Sequence, residues 1–159
     1  MKGIRLDGNP LAAHAIAQLS QGDWPLLERL YLCRLHLDEA ALLHLSKGNW
    51  PCLKKLDMCN SEQPLSSEAI SHLSDAKWPL LEWLCLTNNG FNKTSVLTEL
   101  SKADWPLLKT LQISLNNFEP EAVSQLVHAH RPLLESLTAD VPRHMASAGE
   151  LGASSCPGY

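Results

Sequence analysis

Apolar and polar residues alternate in six short segments of the chain, and each segment has the pattern of a strand that is buried on one side. The first apolar position of each segment is occupied by Ile4, Leu30, Leu56, Leu84, Leu111 and Leu137. The second lies two residues later and is occupied by Leu6, Leu32, Met58, Leu86, Ile113 and Ala139. Because successive side chains of a strand point to opposite faces, we expect these residues to be buried and the residues between them to line the other face.

A second pattern follows each of the first five segments and has the period of a helix. Apolar residues recur at i, i+1 and i+4, which places them on one helix face. The five copies are Ala15-Ile16-x-x-Leu19, Ala41-Leu42-x-x-Leu45, Ala69-Ile70-x-x-Leu73, Val96-Leu97-x-x-Leu100 and Ala122-Val123-x-x-Leu126. Ser66 and Pro120 are suited to helix starts, and Gly22 and Gly48 to helix stops. The predicted unit is one strand followed by one short helix.

The dipeptide Trp-Pro marks the same place in successive units. It begins at Trp24, Trp50, Trp78 and Trp105, and Arg131-Pro132 fills a fifth slot, so that the copies are 26 to 28 residues apart. Self-similarity at this period is the signature of a solenoid, in which neighbouring units stack. A residue that recurs on the same helix-to-strand loop of successive copies is expected to serve packing, and we predict a structural role for the four tryptophans.

A recurring slot lies three residues after the second apolar position of the first five segments and is filled by Asn9, Leu35, Ser61, Asn89 and Asn116. With it, the segments Leu81-Leu84-Leu86-Asn89-Phe91 and Leu108-Leu111-Ile113-Asn116-Phe118 meet the pattern L-x-x-L-x-L-x-x-N/C-x-L. The chain therefore resembles the leucine-rich repeat family, most closely its ribonuclease-inhibitor-like and cysteine-containing subclasses. The resemblance implies an α/β solenoid, a curved horseshoe arc with a parallel concave sheet and short helices on the convex side.

The repeats also predict the domain organisation. Residues 1–140 are expected to form the leucine-rich repeat domain, with about five repeats and no polar cap at either end. A first strand at Ile4 leaves an open edge, which suggests a longer parent chain or an oligomer that covers it. Residues 141–159 are rich in small side chains and have no apolar face, so we expect a disordered C-terminal tail.

Composition narrows the functional classes. The 159 residues include 13 basic and 17 acidic side chains, and the net charge of -4 disfavours a dedicated nucleic-acid binder. The longest apolar runs are far shorter than the roughly 20 residues that cross a bilayer, and the first residues have no signal-peptide pattern. Five cysteines are too few for a disulfide scaffold. These features predict a cytoplasmic protein with reduced thiols and no membrane span.

The candidate binding residues are those that alternate with the buried leucines, because they form columns across strands ~4.8 Å apart. We favour Trp83, since tryptophan, tyrosine and arginine dominate binding hot spots. The alternative is that its ring lies flat on its neighbours and shields the sheet. The predicted partner-binding residues are Arg29, Tyr31, Lys55, Asp57, Trp83, Cys85 and Gln112.

Two cysteines, Cys33 and Cys59, occupy equivalent slots on adjacent predicted strands. They are close enough for a thiol pair, or for two soft metal ligands if a third group converged. A zinc site needs four ligands and the sequence has no C-x-x-C motif, so we interpret both as small apolar filler and predict no metal and no cofactor. The chain also has no phosphate-binding Gly-rich loop, nucleophile elbow or H-E-x-x-H motif, which disfavours an enzyme.

The favoured function is a non-catalytic module that binds a partner protein through the concave sheet. This step rests on analogy, because a fold alone does not determine function. The resemblance leaves two alternatives open: the substrate-recognition arm of an F-box-type ubiquitin ligase, and a regulator of a GTPase or nuclease. Either alternative would make the chain a fragment of a longer protein.

Overall fold

Strands and helices alternate strictly along the chain. The computed structural model describes residues 1–9, 12–61, 63–91, 93–128 and 133–139. The strands are β1 Gly3–Arg5, β2 Arg29–Tyr31, β3 Lys55–Asp57, β4 Trp83–Cys85, β5 Thr110–Gln112 and β6 Ser136–Thr138. The helices are α1 Ala12–Gln21, α2 Glu39–Ser46, α3 Ser67–Ser74, α4 Thr94–Lys102 and α5 Pro120–His128. The predicted α/β class is confirmed, whereas the predicted tail at 141–159 lies outside the described residues.

The six strands form one all-parallel sheet in chain order, β1-β2-β3-β4-β5-β6. Equivalent residues pair throughout, in the series Ile4, Leu30, Leu56, Leu84, Leu111 and Leu137. The hydrogen bonds just before each strand also repeat from unit to unit. The backbone N–H of Lys54 donates to Glu28 O, and the backbone N–H of Glu82 donates to Lys54 O, both at 2.9 Å. The structure therefore confirms the predicted strand positions, and each unit is joined to the next by the same hydrogen bonds.

The core lies between the sheet and the helices. Leu30, Leu56, Leu84 and Leu111 are fully buried. They meet the apolar helix faces that the i, i+1, i+4 pattern predicts; the buried members include Ile16, Ala41, Leu42, Leu45, Ala69, Ile70, Leu73, Val96, Leu97 and Leu100. No single unit encloses its own leucines, so burial depends on the neighbouring units.

Three tryptophans form a buried stack along the helix-to-strand loops. The ring centroids of Trp50 and Trp78 are 6.1 Å apart and those of Trp78 and Trp105 are 6.4 Å apart, with interplanar angles of 13°. Trp24 is partly buried, and its Nε1 donates to Leu19 O at 3.0 Å. The structural role predicted for the tryptophans is confirmed.

Local signals mark the helix ends. Pro120 begins α5 as predicted, and the Oγ of Ser66 accepts from Ala69 N at the start of α3 at 3.1 Å. Gly48 follows α2, as a predicted helix stop should, but the structure requires a glycine there for another reason. Its backbone is not left-handed, but a Cβ at this position would overlap the Trp50 ring. Gly48 is therefore required by the close approach of the indole rather than by the turn.

Gly90, in the turn after β4, is left-handed at φ 67°, and the turn after each of the first five strands has a left-handed residue three positions beyond the strand. Its φ lies between 55° and 65° in all five, and the residues are Gly8, Arg34, Asn60, Asn88 and Leu115. Glycine and asparagine adopt this conformation readily, whereas a leucine does so at a cost. Leu115 is thus the least suited residue at this position.

The asparagine slot supports the turns from within. Asn89 and Asn116 are buried. The Oδ1 of Asn116 accepts from Asn89 N at 2.9 Å and from Phe91 N at 3.2 Å, and the Oδ1 of Asn89 accepts from Ser61 N at 2.9 Å. These amides satisfy backbone groups of the preceding unit, as asparagine at a buried turn is expected to do.

Candidate functional site

The face of the sheet opposite the buried leucines carries the candidate residues. Two columns of residues cross this face in register, and we call them together the open face. The first column is Gly3, Arg29, Lys55, Trp83, Thr110 and Ser136. The second column is Arg5, Tyr31, Asp57, Cys85, Gln112 and Thr138. Tyr31, Asp57, Cys85 and Gln112 lie abreast, as the repeat alignment predicts. Rigid parallel strands therefore fix the spacing of these side chains.

The predicted binding residues differ in their exposure. Arg29 is exposed, and Tyr31, Lys55, Asp57, Trp83 and Gln112 are half-buried. Cys85 differs from the expectation, because its side chain has 0% exposure and offers no surface to a partner. A small side chain between larger neighbours is covered by them, even on the outer face of a sheet.

Cations and aromatic rings alternate across the open face. The Lys55 Nζ lies 3.9 Å from the Trp83 ring centroid and 5.5 Å from the Tyr31 centroid. On the other side of Tyr31, the Arg5 guanidinium carbon lies 4.6 Å from the same ring. All three distances are within the ≈ 6 Å range of cation–π attraction. We call Arg5, Tyr31, Lys55 and Trp83 the cation–aromatic row.

The row includes Trp83, whose side chain is half-buried. The Lys55 ammonium lies over its ring, 3.9 Å from the centroid. The sequence prediction omitted Arg5, which occupies the same strand position in β1 as Tyr31 in β2. That equivalence was the signal that could have identified Arg5.

The charge of the open face differs from that of the whole chain. Within strands β1 to β4, all of them described, this face carries the cations Arg5, Arg29 and Lys55 and one carboxylate, Asp57. Asp7 lies just beyond β1, with its Oδ2 3.5 Å from Arg5 Nη1. The chain as a whole carries a net charge of -4. Positive charge is therefore concentrated locally at one half of the sheet.

Three potential metal ligands lie together beside the row, and a third cysteine sulfur, that of Cys85, lies on the next strand. The Cys59 thiol donates to the Cys33 sulfur at 2.7 Å, and the Cys85 thiol donates to Thr87 Oγ1 at 3.4 Å. The ligand atoms of Cys33, Asp57 and Cys59 all lie within 4.8 Å of one another. We call Cys33, Asp57, Cys59 and Cys85 the thiol cluster. The sequence analysis assigned Asp57 to the partner-binding residues and not to the two cysteines, and it therefore lacked the third group that a metal site needs.

The surroundings of Cys59 and Cys85 raise the pKa of both thiols. The hydrogen bond with Cys33, together with burial and the nearby Asp57 carboxylate, raises the pKa of Cys59 to about 12. The hydrogen bond with Cys59, followed by burial, raises the pKa of Cys85 as well. Asp57 Oδ1 is buried and has no hydrogen-bond partner in the described part of the chain. A buried carboxylate oxygen without a partner is unusual, and a bound cation would satisfy it.

No protein-family model matches the chain, and no curated protein matches it either. Among the described residues, no helix combines the length and the apolar character that crossing a membrane requires.

Proposed function

We propose that the chain is a leucine-rich repeat solenoid whose open face is the concave surface of a curved arc and binds a partner protein without catalysis. Three observations support the proposal: the parallel sheet in chain order, the constant register of the leucines, and a helix after each of the first five strands. Stacked units of this kind are typical of repeat proteins that bind other proteins over an extended surface.

The cation–aromatic row is the observation that carries the binding proposal. Binding hot spots are enriched in tryptophan, tyrosine and arginine. In this row the side chains stand on adjacent strands and are held by one another, with Lys55 between the rings of Tyr31 and Trp83. Side chains that are ordered before binding lose less conformational entropy when a partner arrives. The row therefore offers a large contact area at a low entropic cost.

The charge distribution indicates the chemistry of the partner. Arg29 is exposed and lies beside Lys55 in the same column, with Arg5 in the neighbouring column. Electrostatic complementarity favours association with a surface of the opposite charge. The proposed partner is accordingly a protein segment that carries carboxylates and an apolar group that can lie against Trp83.

We further propose that the protein acts in the cytoplasm. The four cysteines described, Cys33, Cys52, Cys59 and Cys85, are free thiols, which suits a reducing compartment.

The test compares partner capture by the immobilised wild-type chain and by Trp83→Ala. A hot-spot truncation costs at least ~2 kcal/mol, which corresponds to about a 30-fold loss of affinity. Leu26→Ala is the matched control, because Leu26 is 60% exposed and lies outside the strands. A specific partner is retained by the control and lost by Trp83→Ala and by Lys55→Glu, while the circular-dichroism spectra stay the same. Equal capture by all four proteins would contradict the proposal.

A further inference from the structure

Sulfur atoms from three consecutive units converge beside one carboxylate. Cys33 lies two residues beyond β2, Cys59 lies two residues beyond β3, and Cys85 ends β4. The parallel register brings Cys59 next to Cys33 and diagonally next to Cys85. Asp57, the last residue of β3, contributes its carboxylate from the same face. The convergence results from the register of the sheet and does not require a loop rearrangement.

We propose that Cys33, Asp57, Cys59 and Cys85 bind one zinc ion. Zinc prefers four ligands in a tetrahedral arrangement and takes thiolate sulfur and carboxylate oxygen among them. The thiol cluster supplies three sulfurs and one carboxylate. Ligand atoms of Cys33, Asp57 and Cys59 already lie within 4.8 Å of one another. The Cys85 thiol now donates to Thr87 Oγ1 at 3.4 Å, and a rotation about its χ1 would turn the sulfur toward the ion.

The fit requires only a small adjustment of the side chains. With Zn–S bonds of ≈ 2.3 Å, two thiolates on a tetrahedral zinc ion lie about 3.8 Å apart. The sulfurs of Cys33 and Cys59 are now 2.7 Å apart, so they must separate by about 1 Å. Cys33 is half-buried, and a rotation about its χ1 can supply this movement.

The buried carboxylate oxygen favours a metal over a simple thiol pair. A disulfide between Cys33 and Cys59 would leave Asp57 Oδ1 without a partner. A metal ion would supply that partner and would also bind the Cys85 sulfur. One ion therefore accounts for the whole cluster, whereas a disulfide accounts for two of its four members.

Binding exchanges protons for the metal ion. Each thiol that coordinates zinc loses its proton to solvent, and the sulfur donates an electron pair to the ion without any change of oxidation state. The three thiols of the cluster can release up to three protons, and Asp57 binds as the carboxylate. Zinc affinity is therefore expected to fall as the pH is lowered.

The experiment titrates zinc alone into the full-length chain, reduced and stripped of metal, in competition with a chelating dye. We expect one ion per chain, and with Co²⁺ as a probe, the visible and thiolate charge-transfer absorption of a tetrahedral sulfur site. Cys59→Ser should abolish the 1:1 binding. Asp57→Asn should weaken it by at least the 10- to 100-fold that loss of a supporting group costs at metal sites.

Two cysteines outside the cluster provide matched controls. Cys52 is a half-buried free thiol that precedes β3, and Cys156 lies outside the described residues. Cys52→Ser and Cys156→Ser should bind zinc like the wild type. If Cys59→Ser does not give a native circular-dichroism spectrum, Cys33→Ser replaces it, because residue 33 is the less buried of the pair.

Three results would overturn the proposal. The first is a stoichiometry well below one ion per reduced chain. The second is unchanged affinity in both Cys33→Ser and Cys59→Ser, or loss of binding in Cys52→Ser. The third is a Cys33–Cys59 disulfide in the oxidised chain combined with no zinc uptake after reduction, which would identify a redox pair instead. None of these results bears on partner capture by the cation–aromatic row.

Discussion

Replacing Asn116 by alanine should destabilise the fold more than the loss of one side-chain amide normally does. Asn116 is 5% exposed, and its Oδ1 accepts from the N–H groups of Asn89 and Phe91. Its Nδ2 donates to Leu86 O at 3.0 Å and to Ile113 O at 2.8 Å. One side chain thus joins two consecutive units.

The magnitude follows from the groups that would lose their partner. Alanine leaves the N–H of Asn89 and of Phe91 without an acceptor, and each buried unsatisfied group costs ≈ 1–3 kcal/mol. We expect the free energy of unfolding to fall by about 4 kcal/mol from these two groups. At about 2–4 °C per kcal/mol for a chain of this size, the melting temperature should fall by roughly 8–16 °C.

Asn89→Ala is the matched control. Asn89 is equally buried at 1% exposure, but its Oδ1 accepts from Ser61 N, and its Nδ2 has no partner in the described part of the chain. Its removal leaves one N–H unsatisfied and should cost about 1–3 kcal/mol. Urea denaturation followed by circular dichroism gives both values. If Asn116→Ala costs no more than Asn89→Ala, the hydrogen bonds of Asn116 are not what stabilises the turn.

Three further changes test separate features of the fold. Trp78→Ala removes the middle ring of the buried stack and should cost ~3–5 kcal/mol; an unchanged melting curve would contradict the stack. Leu115→Asn should raise the free energy of unfolding by about 0.5–1 kcal/mol, because asparagine tolerates the left-handed backbone at φ 55° better than leucine does. A lowered melting temperature of this variant would refute the prediction. Asp38→Ala removes the acceptor of the 2.7 Å hydrogen bond from Ala41 N at the start of α2 and should cost ~1 kcal/mol, measured by thermal denaturation; no change would mean that solvent replaces the cap.

The strands and helices were predictable because every unit repeats the same burial requirement. One apolar triplet such as Leu30 and its neighbours is ambiguous between strand and helix. The same triplet at Leu56, Leu84 and Leu111, at matching distances from Trp-Pro, removes the ambiguity, and these residues are paired in the sheet. Repetition thus supplies information that a single segment lacks.

The depth and the diagonal contacts of the side chains were not predictable in this way. Alternation assigns Cys85 to the open face but gives no information on whether larger neighbours cover it. The alignment also places Asp57 in a column with Tyr31 and places Cys33 with Cys59, whereas the carboxylate lies near both sulfurs. Diagonal contacts depend on side-chain rotamers, which a pattern of residue types does not determine. The left-handed backbone at Leu115 likewise has no signal in a leucine.

The uniform junction between units makes the chain modular in length. Lys55 N donates to Glu28 O, and Trp83 N donates to Lys54 O in the same way. Excision of residues 55–82 would bring Trp83 to the place that Lys55 occupies now, facing the same acceptor and with Leu84 aligned to Leu30. A deletion that does not match a whole unit would shift the following leucines out of register with the preceding strand. The molecule can therefore shorten or grow by whole units, and a unit removed or added between β2 and β4 would move Trp83 by one strand relative to Tyr31.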